Sequence, residues 1–211
     1  ANNLILDCDG YTINYSQSAF GYGVNNTGYN QVTVKDCNIV EGATNPNVQF
    51  GIYLGYGADS ANITGNNVTT LANSEGIALI SSSFATLTNN QVVTPQATSY
   101  IFEGENANHY NHIIDTSNLA EGYPIIYNHS ISSQTLPYTG QLKYTYGQII
   151  CANCNEITYL GIDALWNDGI YITGGNAVRV TNSVIAVLKG PALSVVNSTG
   201  FSSSGSSFGQ A

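Results

Sequence analysis

One six-residue frame recurs along this 211-residue chain, and its recurrence restricts the fold more than any other feature. The frame places an apolar residue first, a small or amide residue three positions on, and a second apolar residue two further. It reads Val34-Lys-Asp-Cys37-Asn-Ile39, Ile63-Thr-Gly-Asn66-Asn-Val68 and Leu87-Thr-Asn-Asn90-Gln-Val92, then Ile157-Thr-Tyr-Leu160-Gly-Ile162 and Val180-Thr-Asn-Ser183-Val-Ile185. A weaker copy is Asn108-His-Tyr-Asn111-His-Ile113. A glycine followed by a branched residue precedes four of the frames, at Gly23-Val24, Gly51-Ile52, Gly76-Ile77 and Gly169-Ile170. From Val34 to Ile63 to Leu87 to Asn108 the steps are 29, 24 and 21 residues. Such a period is short for a propeller blade, and the helical half of other solenoids is missing. Short parallel strands separated by turns fit it. Alternate residues then face inward, as for Val32 and Val34, Ile170 and Ile172, and Val178 and Val180. The reading is an all-β chain, a right-handed parallel β-helix of about seven to eight coils.

Composition agrees. Charged residues make up 8% of the chain, against roughly 25% in ordinary domains. Asn, Ser, Thr, Gly and Tyr take their place, residues of turns and strands. The basic residues are Lys35, Lys143, Arg179 and Lys189, against 13 acids, for a net charge of −9. Nucleic acid is a poor partner for such a chain, because phosphate neutralisation needs clustered Lys and Arg. No apolar run approaches the roughly 20 residues of a spanning helix.

Residues 1–211 read as a single β-helix domain, with an irregular coil or insertion at 115–147. Residues 202–211 read as a linker or terminal coil, composition favouring the linker. The start Ala1-Asn2-Asn3, directly before Leu4-Ile5-Leu6, reads as a processed or excised segment. Asn66, Asn90 and Asn111 suit an asparagine ladder, each amide bonding to the coils above and below. Cys8 and Cys37 occupy matching places in neighbouring coils. Coil spacing lies within the Cα range of a disulfide, so they are candidates for one. Cys151 and Cys154 are candidates for a local disulfide. An even cysteine count suits an oxidising compartment, and the location expected is extracellular or cell-surface. Sequons at Asn14, Asn25, Asn62, Asn67, Asn128 and Asn197 are candidate glycosylation sites.

The chemistry-bearing residues are sparse. Asp7, Asp9 and Asp36 are weak calcium candidates, placed together if their coils stack; no other cofactor is implied. Glu103 and Glu105 share a strand face. Trp166 with Asp163 and Asp168 suits a sugar-binding groove. His109, His112 and His129 lack partners at metal-ligand spacing, and the absence of Met weakens a Cu(I) role. Arg179, beside inward Val178 and Val180, is expected on an outer strand face.

The frames Ile63-Thr-Gly-Asn-Asn-Val and Val180-Thr-Asn-Ser-Val-Ile resemble coils of right-handed β-helix proteins of the periplasmic copper-protein accessory (NosD-like) group, which includes many archaeal surface proteins. The segments Ile113-Ile-Asp-Thr-Ser-Asn and Gly122-Tyr-Pro-Ile-Ile-Tyr are similar to an insertion common in that group. Ile150-Cys-Ala-Asn-Cys-Asn-Glu-Ile-Thr resembles the coil that follows the insertion. The resemblance covers most of residues 1–190. It implies the fold and leaves function open, since members include enzymes, metal-insertion accessories and surface-layer or filament subunits. The expected function is an extracellular structural module without catalytic activity, a filament, surface-layer or adhesin subunit that self-associates head to tail or laterally. The alternatives are a carbohydrate-binding or polysaccharide-degrading β-helix protein, and a periplasmic metal-cofactor accessory protein.

Overall fold

The computed structural model describes residues 2–210 except 43–48, 72, 138–145, 163–167 and 188–189. The chain is a parallel β-solenoid of about eight turns and almost entirely β. Sheet A has five strands: Ile5–Asp7, Thr33–Lys35, Asn62–Thr64, Thr86–Thr88 and Ile113–Ile114. Sheet C has four: Val24–Thr27, Phe50–Gly55, Glu75–Ile80 and Tyr100–Glu103. Between them runs the nine-stranded sheet B, from Thr12–Tyr15 through Asn38–Glu41, Asn67–Thr69, Gln91–Val93 and Leu119–Ala120, then Tyr123–His129, Gln148–Ala152, Ile170–Thr173 and Leu193–Val196. Sheet D has four strands, Thr135–Pro137, Thr158–Leu160, Arg179–Thr181 and Ser202–Ser204, and sheet E pairs Val184–Val187 with Ser207–Gln210. The serine-rich stretch after Phe201 is therefore strand, not linker.

The first half of the chain stacks identical positions on one another. Leu6, Val34, Ile63, Leu87 and Ile114 form one inward column. Ile39, Val68, Val92 and Ala120 form the next, and Ile52, Ile77 and Tyr100 the third. Most of these residues are fully buried. The glycine column marks the corner where sheets B and C approach. A Cβ at Gly51 would lie 2.2 Å from Val68 Cγ1, and one at Gly76 would lie 2.2 Å from Val92 Cγ1. Only glycine leaves room there for the valine side chains of sheet B.

At Glu121–Gly122, both with positive φ, the chain reverses. Leu119–Ala120 and Tyr123–His129 pair antiparallel, while every other named strand pair is parallel. The core changes sides at this point. Ile125, Ile150, Ala152 and Tyr171 face the first hydrophobic cluster, and Ile149, Cys151, Ile170 and Ile172 face a second. All five residues of Gln148–Ala152 and all four of Ile170–Thr173 are buried. The second half of sheet B thus serves two cores, lining its own stack and closing the last coil of the first. Phe102 packs on Tyr127 with ring centroids 4.9 Å apart. The Tyr127 hydroxyl donates to Tyr110 O at 2.7 Å, and Gln148 Nε2 donates to Tyr100 O at 3.0 Å. Residues 115–147, expected as an insertion, contain this crossover.

Two frames sit differently from their expected places. The repeat at Asn108 falls in the 3-10 turn Ala107–Tyr110, and the coil instead passes through Ile114, which pairs with Leu87. Tyr159, not Ile157, pairs with Val180. Among the described residues no helix is long and apolar enough to cross a membrane.

Candidate functional site: an aromatic face on sheet C

The residues singled out by sequence fall in four places. The first is the polar column at the corner of sheets A and B. Asn66 Nδ2 donates to Asn90 Oδ1 at 3.0 Å, and Asn90 Nδ2 donates to Asn118 Oδ1 at 2.9 Å. Each amide also donates to a backbone carbonyl, Val34 for Asn66, Ile63 for Asn90 and Leu87 for Asn118. Asn111, expected in this ladder, is exposed and follows the 3-10 turn; Asn118 holds its place. Cys37 N donates to Asn66 Oδ1 at one end of the column, and Ser183 and Ser206 continue the same position in the second stack.

The second is the first coil. Cys8 and Cys37 form a disulfide with Cα atoms 4.7 Å apart, the coil spacing. Asp7 is ion-paired with Lys35 at 2.7 Å, which holds its carboxyl below the usual range through that hydrogen bond first. Asp9 and Asp36 are exposed turn residues with positive φ. Among the described residues no three His, Cys, Asp or Glu groups converge to hold a metal, so Asp7, Asp9 and Asp36 do not assemble the calcium cluster considered for them. Cys151 and Cys154 form the second disulfide.

The third is the join between the stacks. Asp168 is 2% exposed, so it does not face an open groove; Asp163 and Trp166 lie outside the described residues. Ser99 N donates to its Oδ2 at 2.8 Å. Burial, with Glu121 and Glu75 adding negative charge, pushes its pKa up to about 7. Burial likewise pushes Glu75 up to about 7, although Thr98 N donates to it at 2.6 Å. His112 is buried against Phe102, accepts from Ala85 N at Nδ1, and is lowered to about 4 by burial. His109 accepts from Glu105 N, next to the 3-10 turn, and His129 stacks on Tyr127. Glu103 accepts from the Tyr171 hydroxyl, while Glu105 is exposed.

The fourth is the outer surface. Arg179 is exposed on sheet D, as its place beside Val178 and Val180 requires. Sequon asparagines Asn14, Asn25, Asn62, Asn67 and Asn197 are exposed, while Asn128 is half-buried and donates to the Tyr159 hydroxyl.

The surface feature with the most built geometry was not singled out in advance. Phe20 and Tyr22 from one coil meet Phe50 and Tyr53 from the next. Tyr22 and Phe50 stack 5.9 Å apart with ring planes 8° from parallel. Tyr53 lies 5.5 Å from Tyr22 and 5.2 Å from Phe50. Phe20 meets Tyr22 edge-on at 5.3 Å. Tyr53 points outward between the inward Ile52 and Leu54. Its ring folds along its own strand over Gly55, where an added Cβ would lie 2.5 Å from Tyr53 Cε1. That glycine lets the ring lie against the sheet. Phe20 and Tyr56 border the cluster and are 49% and 66% exposed. Burial first, then Tyr56, Tyr22 and Glu103, raise the Tyr53 phenol. Gln49 Oε1 accepts from Gly21 N at 3.0 Å and so fixes the loop that carries Phe20 and Tyr22. The available sequence signal was the step of 28 residues from Tyr22 to Phe50, the same as from Val24 to Ile52. It brings aromatic positions of two coils together.

Among the described residues the ionisable groups beside this face are acids, Glu75, which pairs with Phe50 in register and is raised to about 7 by burial, and Glu103. Lys35 and Arg179 lie on sheets A and D. No family model matches this chain, and neither curated proteins nor solved structures yield a match.

Proposed function

We propose that this chain is an extracellular recognition module of adhesin type, and that the aromatic face of sheet C binds an uncharged saccharide chain. The observation that carries the reading is the Tyr22–Phe50–Tyr53 cluster, with Tyr53 laid over Gly55. Partly exposed rings held on a rigid sheet offer apolar faces to sugar C–H groups, while Tyr hydroxyls offer hydrogen bonds. A rigid scaffold also reduces the ordering cost of binding. The ligand is uncharged because, among the described residues, the charged groups beside this face are the acids Glu75 and Glu103, while Lys35 and Arg179 lie on other sheets. Two disulfides support an oxidising, extracellular location. The repeated frames support membership of the NosD-like group as part of the same proposal. The fully buried Asp168 favours a structural over a catalytic role for that carboxyl.

Isothermal titration of the 211-residue chain with neutral hexasaccharides (gluco-, manno- and xylo-configured) and with a uronate hexasaccharide tests this. At least one neutral ligand should bind with millimolar affinity or better, and Tyr53→Ala should weaken it at least about tenfold, some 1.4 kcal/mol. Gly55→Ala should weaken the same ligand without removing a ring, because the new Cβ displaces Tyr53. Preference for the uronate, or binding unchanged in both variants, overturns the proposal.

A further inference from the structure

A cleft of about 570 Å³ opens where the last coil of the first stack meets a corner of the second. One wall is the loop after Tyr100–Glu103, which brings Gly104, Glu105 and Asn106 and closes in the turn Ala107–Tyr110. Tyr110 fixes that loop. Its hydroxyl donates to Gly104 O at 2.7 Å and accepts from Gly104 N at 3.1 Å. Its carbonyl accepts from the Tyr127 hydroxyl of the second half of sheet B. The other wall is a column of turn residues. His129, Ala152, Thr173 and Val196 stack in register. The residues that follow them, Ser130, Asn153, Gly174 and Asn197, form the next column, and all four have positive φ. Asn153 and Asn197 line the cleft with Gly174 between them. A Cβ at Gly174 would lie 2.7 Å from the Tyr110 ring. The glycine therefore seats the loop against the column and leaves a gap between the two amides.

Acceptors dominate the chemistry of this cleft. Glu105 is exposed, and among the described residues no group donates to its carboxylate. Asn153 Nδ2 donates to Ser130 Oγ at 3.0 Å, while among the described residues nothing donates to its Oδ1. Lys35 and Arg179 stand on sheets A and D, so an anion would meet a carboxylate and no described cation. An apolar ligand would find little to cover, because Tyr110 is 2% exposed. A single metal ion is too small for the space, and among the described residues no three His, Cys, Asp or Glu groups converge. The ligand that fits is of small-molecule size, positively charged and rich in hydroxyls. An ammonium group can donate to Glu105, and hydroxyls can exchange hydrogen bonds with the side-chain amide of Asn153. The net charge of −9 favours the approach of such a cation.

We propose that the cleft between the stacks binds a short amino-sugar chain in its protonated form. Glu105 on the loop wall pairs with an ammonium group, and Asn153 on the column wall bonds to ring hydroxyls. Both walls are fixed before a ligand arrives. Tyr110 holds the loop, and the coil stack holds the column, where Asn153 N donates to Thr173 O and Gly174 N to Val196 O. Little ordering is then left for binding to impose. The site shares no residue with the aromatic face of sheet C, and it stands whether or not that face binds a sugar.

Isothermal titration with three probes tests this: a glucosamine trisaccharide, its N-acetylated counterpart and spermidine. The chain carries Tyr53→Ala throughout, so that binding at the aromatic face does not contribute and each site succeeds or fails by itself. The glucosamine trisaccharide should bind with millimolar affinity or better, and more weakly as ionic strength rises. The acetylated trisaccharide has the same ring shape without the charge and should bind at least about tenfold more weakly. Spermidine, which has the charge without the hydroxyls, should bind more weakly than the trisaccharide. Adding Glu105→Gln or Asn153→Gly should weaken the glucosamine trisaccharide at least about threefold. Glycine keeps the positive φ of that turn and removes the amide. Asp36→Asn removes the same charge from an exposed turn of the first stack and should leave binding unchanged. Absence of binding, equal binding of the acetylated trisaccharide, or tighter binding of spermidine overturns the proposal. So does an equal loss in Asp36→Asn and Glu105→Gln, which would assign the attraction to the overall charge of the chain. If Asn153→Gly fails to fold by circular dichroism, Glu105→Gln on its exposed loop decides alone.

Discussion

Asp168 shows how a buried carboxyl sets the pH dependence of this fold. It is fully buried, one oxygen accepts from Ser99 N, and Oδ1 has no hydrogen-bond partner among the described residues. Its pKa, about 7 against 3.8 as a free side chain, follows from burial first and then from the nearby charges of Glu121 and Glu75. An acid with a raised folded pKa stabilises the folded state below its unfolded pKa and loses that contribution as pH climbs through the folded value. The loss from Asp168 therefore runs from about pH 4 to about pH 7. Asp168→Asn keeps an acceptor for Ser99 N and removes the titration. It should leave stability near pH 4 almost unchanged and raise it at pH 8 by an amount on the order of 2 kcal/mol, measured by urea unfolding. Glu75 acts in the same direction, so part of the slope persists in the variant. His112 acts oppositely: lowered to about 4, it stabilises the fold above pH 6.5 and loses that contribution as pH falls towards 4. An equal loss of stability at pH 4 and pH 8 in Asp168→Asn would mean that the carboxyl serves as a fixed hydrogen-bond partner, not as a titrating group.

The amide column is a property of stacked coils, not of any one asparagine. Asn90 accepts from Asn66 N and Nδ2, and donates to Ile63 O and Asn118 Oδ1. Asn90→Ala strands these buried partners together and should cost about 2–4 kcal/mol in thermal or urea unfolding. Asn111→Ala, on an exposed residue beside the 3-10 turn, should stay within about 0.5 kcal/mol. Similar costs at the two positions would show that the column contributes nothing beyond local packing. The period, the inward alternation and the Asn66–Asn90 step were legible because the corner between sheets A and B has constant length there: Cys37 stands three positions after Val34, Asn66 three after Ile63 and Asn90 three after Leu87. From Ile114 to Asn118 it is four. The extra residue in Asp115-Thr-Ser is accommodated by a local turn in which Ser117 N donates to Asp115 Oδ1 at 3.0 Å. A fixed frame misses that coil and takes the one starting at Asn108, six residues before Ile114, in its place. The aromatic face left only the 28-residue step from Tyr22 to Phe50 as a signal, for a related reason. Its members lie on a loop and on outward strand positions, which the inward columns do not mark.

The change of core side unites the molecule, and the sequence carries only an indirect trace of it. Ordinary solenoid strands alternate buried and exposed residues, as in Asn67–Thr69. Gln148-Ile-Ile-Cys-Ala and Ile170-Tyr-Ile-Thr do not alternate in polarity, as expected of strands buried on both faces. Periodicity alone cannot say what lies on the second face. In the structure it is the last coil of the first stack, so Ile150 is fully buried in the first cluster while its neighbours Ile149 and Cys151 belong to the second. The stacks therefore share a wall, and loosening that wall acts on both. Ile150→Ala should cost about 2–5 kcal/mol. Its signature is in hydrogen exchange: amide protection should fall together in Tyr100–Glu103 of the first stack and Ile170–Thr173 of the second, with one cooperative unfolding transition. Ile63→Ala removes a side chain of the same size from the middle of the first stack, away from the shared wall, and should lower protection there first. If Ile150→Ala lowers protection on one side only, the stacks are independent units that merely touch, and the double burial of Gln148–Ala152 adds packing without coupling them.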